Sequence, residues 1–273
     1  MNRTGIEWCD YTWNPMTGCY NGCSYCYARN IARRFCTNEY GKEGALSPCD
    51  GKCNECHKMD GLEFWNERVR IAPEGAVFPY GFYPTFYPDR LDEPAKAKKP
   101  KTIFVGSMTD LFGRWVSASF IVQVLDACAK APQHRYCFLT KNPDRYNELD
   151  ILALLPYDAR FWFGATVTNQ DDIRRLTGMP VHLKTFWSME PLHGPVDMNQ
   201  LLGCTGPFCD IPDRVIIGAE TGNRKDKIIP RREWVTEIIR FCKANGIPVL
   251  VKDNLRKLYP DLPETEFSWE GTP

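Results

Sequence analysis

The chain has 273 residues, 43% of them apolar, with 34 Lys and Arg balancing 34 Asp and Glu. That is enough apolar material for one sizeable core or two modest ones, and the zero net charge excludes a chain-wide basic field that would coat itself on nucleic acid, leaving only local basic patches. Met1–Trp8 has no apolar run or small-residue cleavage site, and no stretch of about 18 apolar residues occurs, so neither a signal peptide nor a membrane span is expected and the chain reads as cytoplasmic.

In chain order, a strand is expected through Tyr11–Thr17, then a Cys-bearing loop and a helix over Tyr27–Phe35. Regular alternation lapses between Thr37 and Pro100. This region holds a second Cys group, the Pro/aromatic stretch Phe78–Pro88 and the basic run Lys96–Lys101. A structureless loop that long is uncommon, so it reads as an insertion folded around something. From Lys101 onward, short apolar runs alternate with amphipathic stretches. Strands are expected over Thr102–Gly106, Tyr136–Thr140, Phe161–Thr166, Val181–Ser188, Val215–Gly218 and Pro248–Val251, each short and rich in β-branched or aromatic residues. Helices are expected over Ser117–Lys130, Asp144–Leu155, Gln170–Leu176 and Arg231–Ala244, the last framed by Pro230 and Asn245-Gly246. Such alternation predicts an α/β fold, a partial (β/α) barrel of about six to seven parallel strands with a Cys-rich insertion. The segments are then 1–36 (first strand, Cys loop and helix), 37–100 (insertion) and 101–273 (remainder of the barrel).

Thirteen cysteines need an explanation, since clustered thiols in a reducing compartment mark metals or catalysis more often than disulfides. Cys19, Cys23 and Cys26 follow the spacing C-x3-C-x2-C. Three thiolates on a tight loop can hold three irons of a 4Fe-4S cluster and leave the fourth open, whereas structural zinc prefers four protein ligands. Gly18 and Gly22 let the loop curl without Cβ clashes. A zinc loop or ordinary thiols are the alternatives. Cys49, Cys53 and Cys56 repeat the spacing, with Cys36 upstream as a fourth ligand. That set suits an auxiliary 4Fe-4S cluster or a zinc ion, the alternative being free thiols in a loop.

With Tyr25 before the last Cys, the first group reads C-x3-C-x-aromatic-C and resembles the hallmark of the radical S-adenosylmethionine (radical SAM) superfamily. The wider string, Trp13-Asn14-Pro15-x-Thr17-Gly18-Cys19 through Cys26-Tyr27-Ala28, is similar to a phage- and bacteria-associated radical SAM family of unassigned substrate. That family is in turn similar to spore photoproduct lyase. The resemblance spans about two thirds of the chain, the Cys loop and the later strand ends. It implies a 4Fe-4S cluster on Cys19, Cys23 and Cys26 whose open iron binds SAM. Reductive cleavage would release methionine and a 5′-deoxyadenosyl radical that abstracts hydrogen from substrate. It further implies an electron donor such as flavodoxin or ferredoxin, and a nucleic-acid or nucleotide substrate in repair or modification.

Polar residues at strand C-termini are where a parallel barrel builds its site. Ser107, Thr109 and Asp110 follow one strand, where the family's glycine-glycine-glutamate-like motif takes the SAM ammonium, although the two glycines are missing here. Lys141 ends the next strand and is placed to pair with the SAM carboxylate, as a lysine does in the lyase-like enzymes. Thr166 and Asn169 fall where ribose hydroxyls are expected, and Glu190 and Glu220 each present a carboxylate after an apolar run. Singly, each is equally well an N-cap or a solvated loop residue. Tyr80, Phe82, Tyr83, Phe86 and Tyr87, followed by Lys96–Lys101, form either a stacking platform for bases or aromatic packing of the insertion. The competing reading of the whole chain is a non-catalytic iron–sulfur or zinc module that binds nucleic acid or protein.

Overall fold

The computed structural model describes residues 1–36, 68–148, 151, 153–180, 182–202 and 211–270. The fold is mixed α/β and divides into two compact units, residues 1–141 with 148–156 and residues 142–147 with 157–273. Each unit carries four strands of mostly parallel sheet.

In the first unit, β1 (Asn2–Arg3) pairs antiparallel with β2 (Tyr11–Trp13). The expected strand through Tyr11–Thr17 is cut after Trp13. Asn14-Pro15 follows, Pro15 has no N–H for a ladder, and Met16–Thr17 leaves as β3. Next come α1 (Tyr27–Phe35), β4 (Arg70–Ile71) and β5 (Thr85–Phe86). A small sheet joins β3, β5 and β4 in that order. After the short α2 (Glu93–Lys96), β6 (Thr102–Val105) runs parallel to β2. The crossover α3 (Ala118–Ala129) leads to β7 (Arg135–Thr140), parallel to β6. Helix α3 buries Ile121, Val124, Leu125 and Cys128, the i, i+3, i+4, i+7 stripe of a helix lying on a sheet. Trp13, Ile103, Phe112 and Phe138 fill this core, each side chain's burial contributing roughly 1.5–3 kcal/mol or more.

In the second unit, β8 (Phe161–Thr166), β9 (Lys184–Met189), β10 (Arg214–Ile217) and β11 (Val249–Val251) run parallel in sequence order. Between them lie α4 (Gln170–Ile173), α5 (Asn199–Leu202) and α6 (Arg232–Ala244), and α7 (Asp253–Leu258) follows. Helix α6 buries Val235, Ile238, Ile239 and Cys242 and stops at Asn245-Gly246. There Gly246 is left-handed, and the Ile247 amide donates to the Cys242 carbonyl at 2.8 Å.

Two helical expectations are corrected. At the start of the expected Asp144–Leu155 helix, Pro143–Asn147 forms a 3-10 turn that buries Tyr146, whose hydroxyl donates to the Gly164 carbonyl at 3.1 Å; further on Ile151 is helical, and Leu149, Asp150 and Leu152 lie outside the described residues. Gln170–Leu176 is one α-helical turn continued by a 3-10 turn at Arg174–Gly178. The Val181–Ser188 strand begins only at Lys184. Among the described residues, no helix is long and apolar enough to cross a membrane.

Candidate functional site

The Cys loop belongs to the first unit, between β3 and α1. Gly18 opens it at φ +81°, and a Cβ there would lie 2.3 Å from the Tyr83 carbonyl oxygen, so only glycine fits. Its main chain is fastened to the segment after β6: the Gly18 amide donates to the Met108 carbonyl at 2.9 Å, and the Thr109 hydroxyl donates to the Gly18 carbonyl at 2.6 Å. Gly22 makes a second left-handed turn at φ +66°. Cys26 then caps α1 in an extended conformation, its Sγ accepting from the Arg29 amide at 3.4 Å. Cys19 Sγ accepts from the Asn21 amide at 3.3 Å. Cys19 and Cys26 pack against Ala28, Ala32, Phe82 and Met108.

Two of the thiols, Cys19 and Cys26, are shifted upward. Burial pushes the Cys19 thiol well above its ordinary range, and negative charge on Asp110, Cys23 and Cys26 adds to the rise. Burial is also the main cause raising the Cys26 thiol, reinforced by Cys23 and opposed by the Arg29 amide bond and guanidinium. Among the described residues, no three His, Cys, Asp or Glu side chains are gathered into a set that could hold a metal ion. The donor chemistry nevertheless fits an iron–sulfur cluster. N–H···S bonds at two sulfurs favour the thiolate form that a ligand must take, and mutual repulsion of three thiolates is what cationic irons relieve.

The expected cofactor residues of this unit converge on the loop. Lys141 Nζ donates to the Tyr25 hydroxyl at 2.6 Å and lies 5.2 Å from the centre of its ring. The Ser107 hydroxyl donates to Asn14 Oδ1 at 3.2 Å, and the Ser107 carbonyl accepts from the Tyr27 hydroxyl at 2.7 Å. Asp110 is buried, and both carboxylate oxygens accept from protein donors. Oδ1 takes the Thr140 hydroxyl at 2.7 Å, and Oδ2 takes Asn21 Nδ2 at 2.8 Å and the Lys141 amide at 3.0 Å. Reading Asp110 only as an acceptor for a cofactor ammonium did not anticipate this joint. Nor did it single out Asn14 and Asn21, although both stand inside the motif string.

The second unit gathers its own polar strand ends. After β9, Glu190 Oε2 accepts from Lys252 Nζ at 2.9 Å. After β10, Glu220 takes a two-pronged bond from Arg224, Nε to Oε1 at 2.8 Å and Nη2 to Oε2 at 2.7 Å, and His193 Nε2 lies 3.2 Å from Oε2. The Arg224 hydrogen bond is the main reason the Glu220 carboxyl sits below its usual range, with the Arg224 charge and His193 adding to it. Thr166 is half-buried at the end of β8, and Asn169 Oδ1 caps the following turn by accepting from the Asp171 amide at 2.9 Å. His193 carried no local signal, because its partner lies 27 residues away. A cavity of about 450 Å³, lined by His182, Lys184 and Asp213 among others, opens at the start of β9, the opposite strand end from Glu190.

Of the aromatic stretch, Phe82, Phe86 and Tyr87 are buried, and Tyr80 and Tyr83 stack on the Arg70 guanidinium at 4.7 and 4.6 Å. Packing of the insertion therefore accounts for much of it. Of the second Cys group, Cys36 is buried directly after α1, while Cys49, Cys53 and Cys56 lie outside the described residues.

A family described as "Protein of unknown function (DUF5131)" matches residues 3–256. The chain belongs to the DUF5131 family. No curated protein and no solved structure matches it.

Proposed function

We propose that this DUF5131 protein is a cytoplasmic radical SAM enzyme in which Cys19, Cys23 and Cys26 hold a 4Fe-4S cluster. One observation carries the reading. The C-x3-C-x2-C loop receives main-chain N–H bonds at two of its sulfurs and is tied by Thr109 and Lys141 to the C-terminal ends of two parallel strands. That edge of a parallel sheet is where ligands are bound. Held there, a 4Fe-4S cluster given one electron would supply reductive cleavage of SAM to methionine and a 5′-deoxyadenosyl radical.

The chain's own residues hold and orient. Lys141, fixed against Tyr25, offers a cation to the SAM carboxylate, and the Ser107 and Thr109 hydroxyls offer polar contacts beside it. Thr166 and Asn169 are assigned to ribose hydroxyls, and Glu190 and Glu220 to cofactor or substrate, each already held in place by a cation. The parallel runs β2-β6-β7 and β8-β9-β10-β11 support the reading of a partial (β/α) barrel of about six to seven parallel strands. Cys36, Cys49, Cys53 and Cys56 are assigned a second centre, an auxiliary 4Fe-4S cluster or zinc. A flavodoxin or ferredoxin would deliver the electron, and the substrate class is nucleic acid or nucleotide.

Anaerobic reconstitution with iron and sulfide tests the reading. The wild-type chain should show the paramagnetic resonance of a reduced 4Fe-4S cluster, altered by adding SAM. Variants with Ala at Cys19, Cys23 or Cys26 should lose that SAM-responsive signal. A wild-type chain that takes up no cluster refutes the proposal.

A further inference from the structure

Asp110 is a buried carboxylate whose partners come from two other segments of the first unit. Thr140 and Lys141 belong to the end of β7, and Asp110 itself closes the turn after β6. Asn21 belongs to the Cys loop. Asn21 also donates its main-chain amide to Cys19 Sγ at 3.3 Å. One residue of the loop thus holds the first sulfur with its backbone and the strand ends with its side chain.

We infer that Asp110 is a positioning residue, which acts through Asn21 to hold Cys19 in register with the ends of β6 and β7. A buried charged acceptor with three donors is a strong joint, because removing it leaves donors with neither protein nor water to satisfy them. The Asn21 side chain links Asp110 directly into the Cys loop beside Cys19, in addition to the Thr109 and Lys141 ties at Gly18 and Tyr25. The consequence for cofactor retention rests on the cluster-binding reading above. The joint itself does not, and it is open to measurement without iron.

The experiment is peptide-resolved alkylation of the metal-free chain by iodoacetamide, comparing wild type with Asn21→Ala, Asp110→Asn and the double variant. Asn21→Ala keeps both the Asp110 charge and the amide donor to Cys19, and cuts only the tether. It should raise the Cys19 alkylation rate about tenfold, the fold-change expected for losing one hydrogen bond to a charged group. Asp110→Asn should do at least as much, and the double variant should not exceed the larger single effect, because the two share one linkage. Cys128 and Cys242 serve as fold controls. Both are buried, and burial pushes the Cys242 thiol up to about 12, so they should stay unlabelled in every variant that folds. If Asn21→Ala labels Cys19 at the wild-type rate, or if the two effects simply add, the inference is overturned. Reconstituting the same variants then reads the consequence, with faster cluster loss expected from Asn21→Ala than from wild type. A wild-type chain that binds no cluster defeats the function proposed above while leaving the alkylation result to stand or fall on its own.

Discussion

The Lys141 ammonium donates to the Tyr25 hydroxyl at 2.6 Å, joining the last residue of one strand end to the aromatic position of the Cys motif. These residues are 116 positions apart, and parallel pairing of β6 with β7 delivers them to the same edge. In the proposed enzyme this cation faces the carboxylate of SAM. Lys141→Met keeps the aliphatic stem and removes the charge, so SAM binding to the reconstituted protein should weaken by about tenfold, the size of one charge-assisted hydrogen bond. Isothermal titration calorimetry checks this, and unchanged affinity would remove Lys141 from the site.

Gly18 and Gly22 are both left-handed, yet substitution should affect them unequally. At Gly18 a Cβ would meet the Tyr83 carbonyl at 2.3 Å, and backbone cannot swing aside as a flexible side chain can. At Gly22 nothing lies within 4 Å. Gly18→Ala should therefore cost about 3 kcal/mol or more, combining clash and strain, while Gly22→Ala costs about 1 kcal/mol from the left-handed backbone alone. Thermal denaturation of the two metal-free variants should separate them by several degrees.

Much of this was legible in the sequence, and the reasons differ by element. The helix at Tyr27–Phe35 was expected with the observed limits, and strand Phe161–Thr166 likewise, because local signals decide both. The expected Asp144–Leu155 helix begins as a 3-10 turn instead, because docking of Tyr146 onto Gly164 is a tertiary contact that no periodicity encodes. The Cys loop announces itself by spacing. Its tether does not, since Asn21 and Asp110 are 89 residues apart and meet only once β6 is paired. The His193–Glu220–Arg224 cluster is half visible, as Arg224 lies at i+4 from Glu220 whereas His193 arrives from another strand end.

The Glu220 cluster predicts a pH dependence. Arg224 holds the carboxyl below its ordinary value of 4.5, so the stabilisation is complete above that pH. It fades as pH falls through the lowered value, because the folded state must then accept a proton it binds weakly. The difference in Tm between wild type and Glu220→Gln should be greatest near neutral pH and shrink below about pH 4.5. A difference that stays constant down to pH 3 would mean that the ion pair is not what stabilises this strand end.

Radical SAM activity is assayed as 5′-deoxyadenosine formed after anaerobic reconstitution, dithionite reduction and addition of SAM. Wild type should give product and Cys23→Ala none. A wild-type protein with a reducible cluster that yields no 5′-deoxyadenosine would contradict it and favour a binding module over an enzyme.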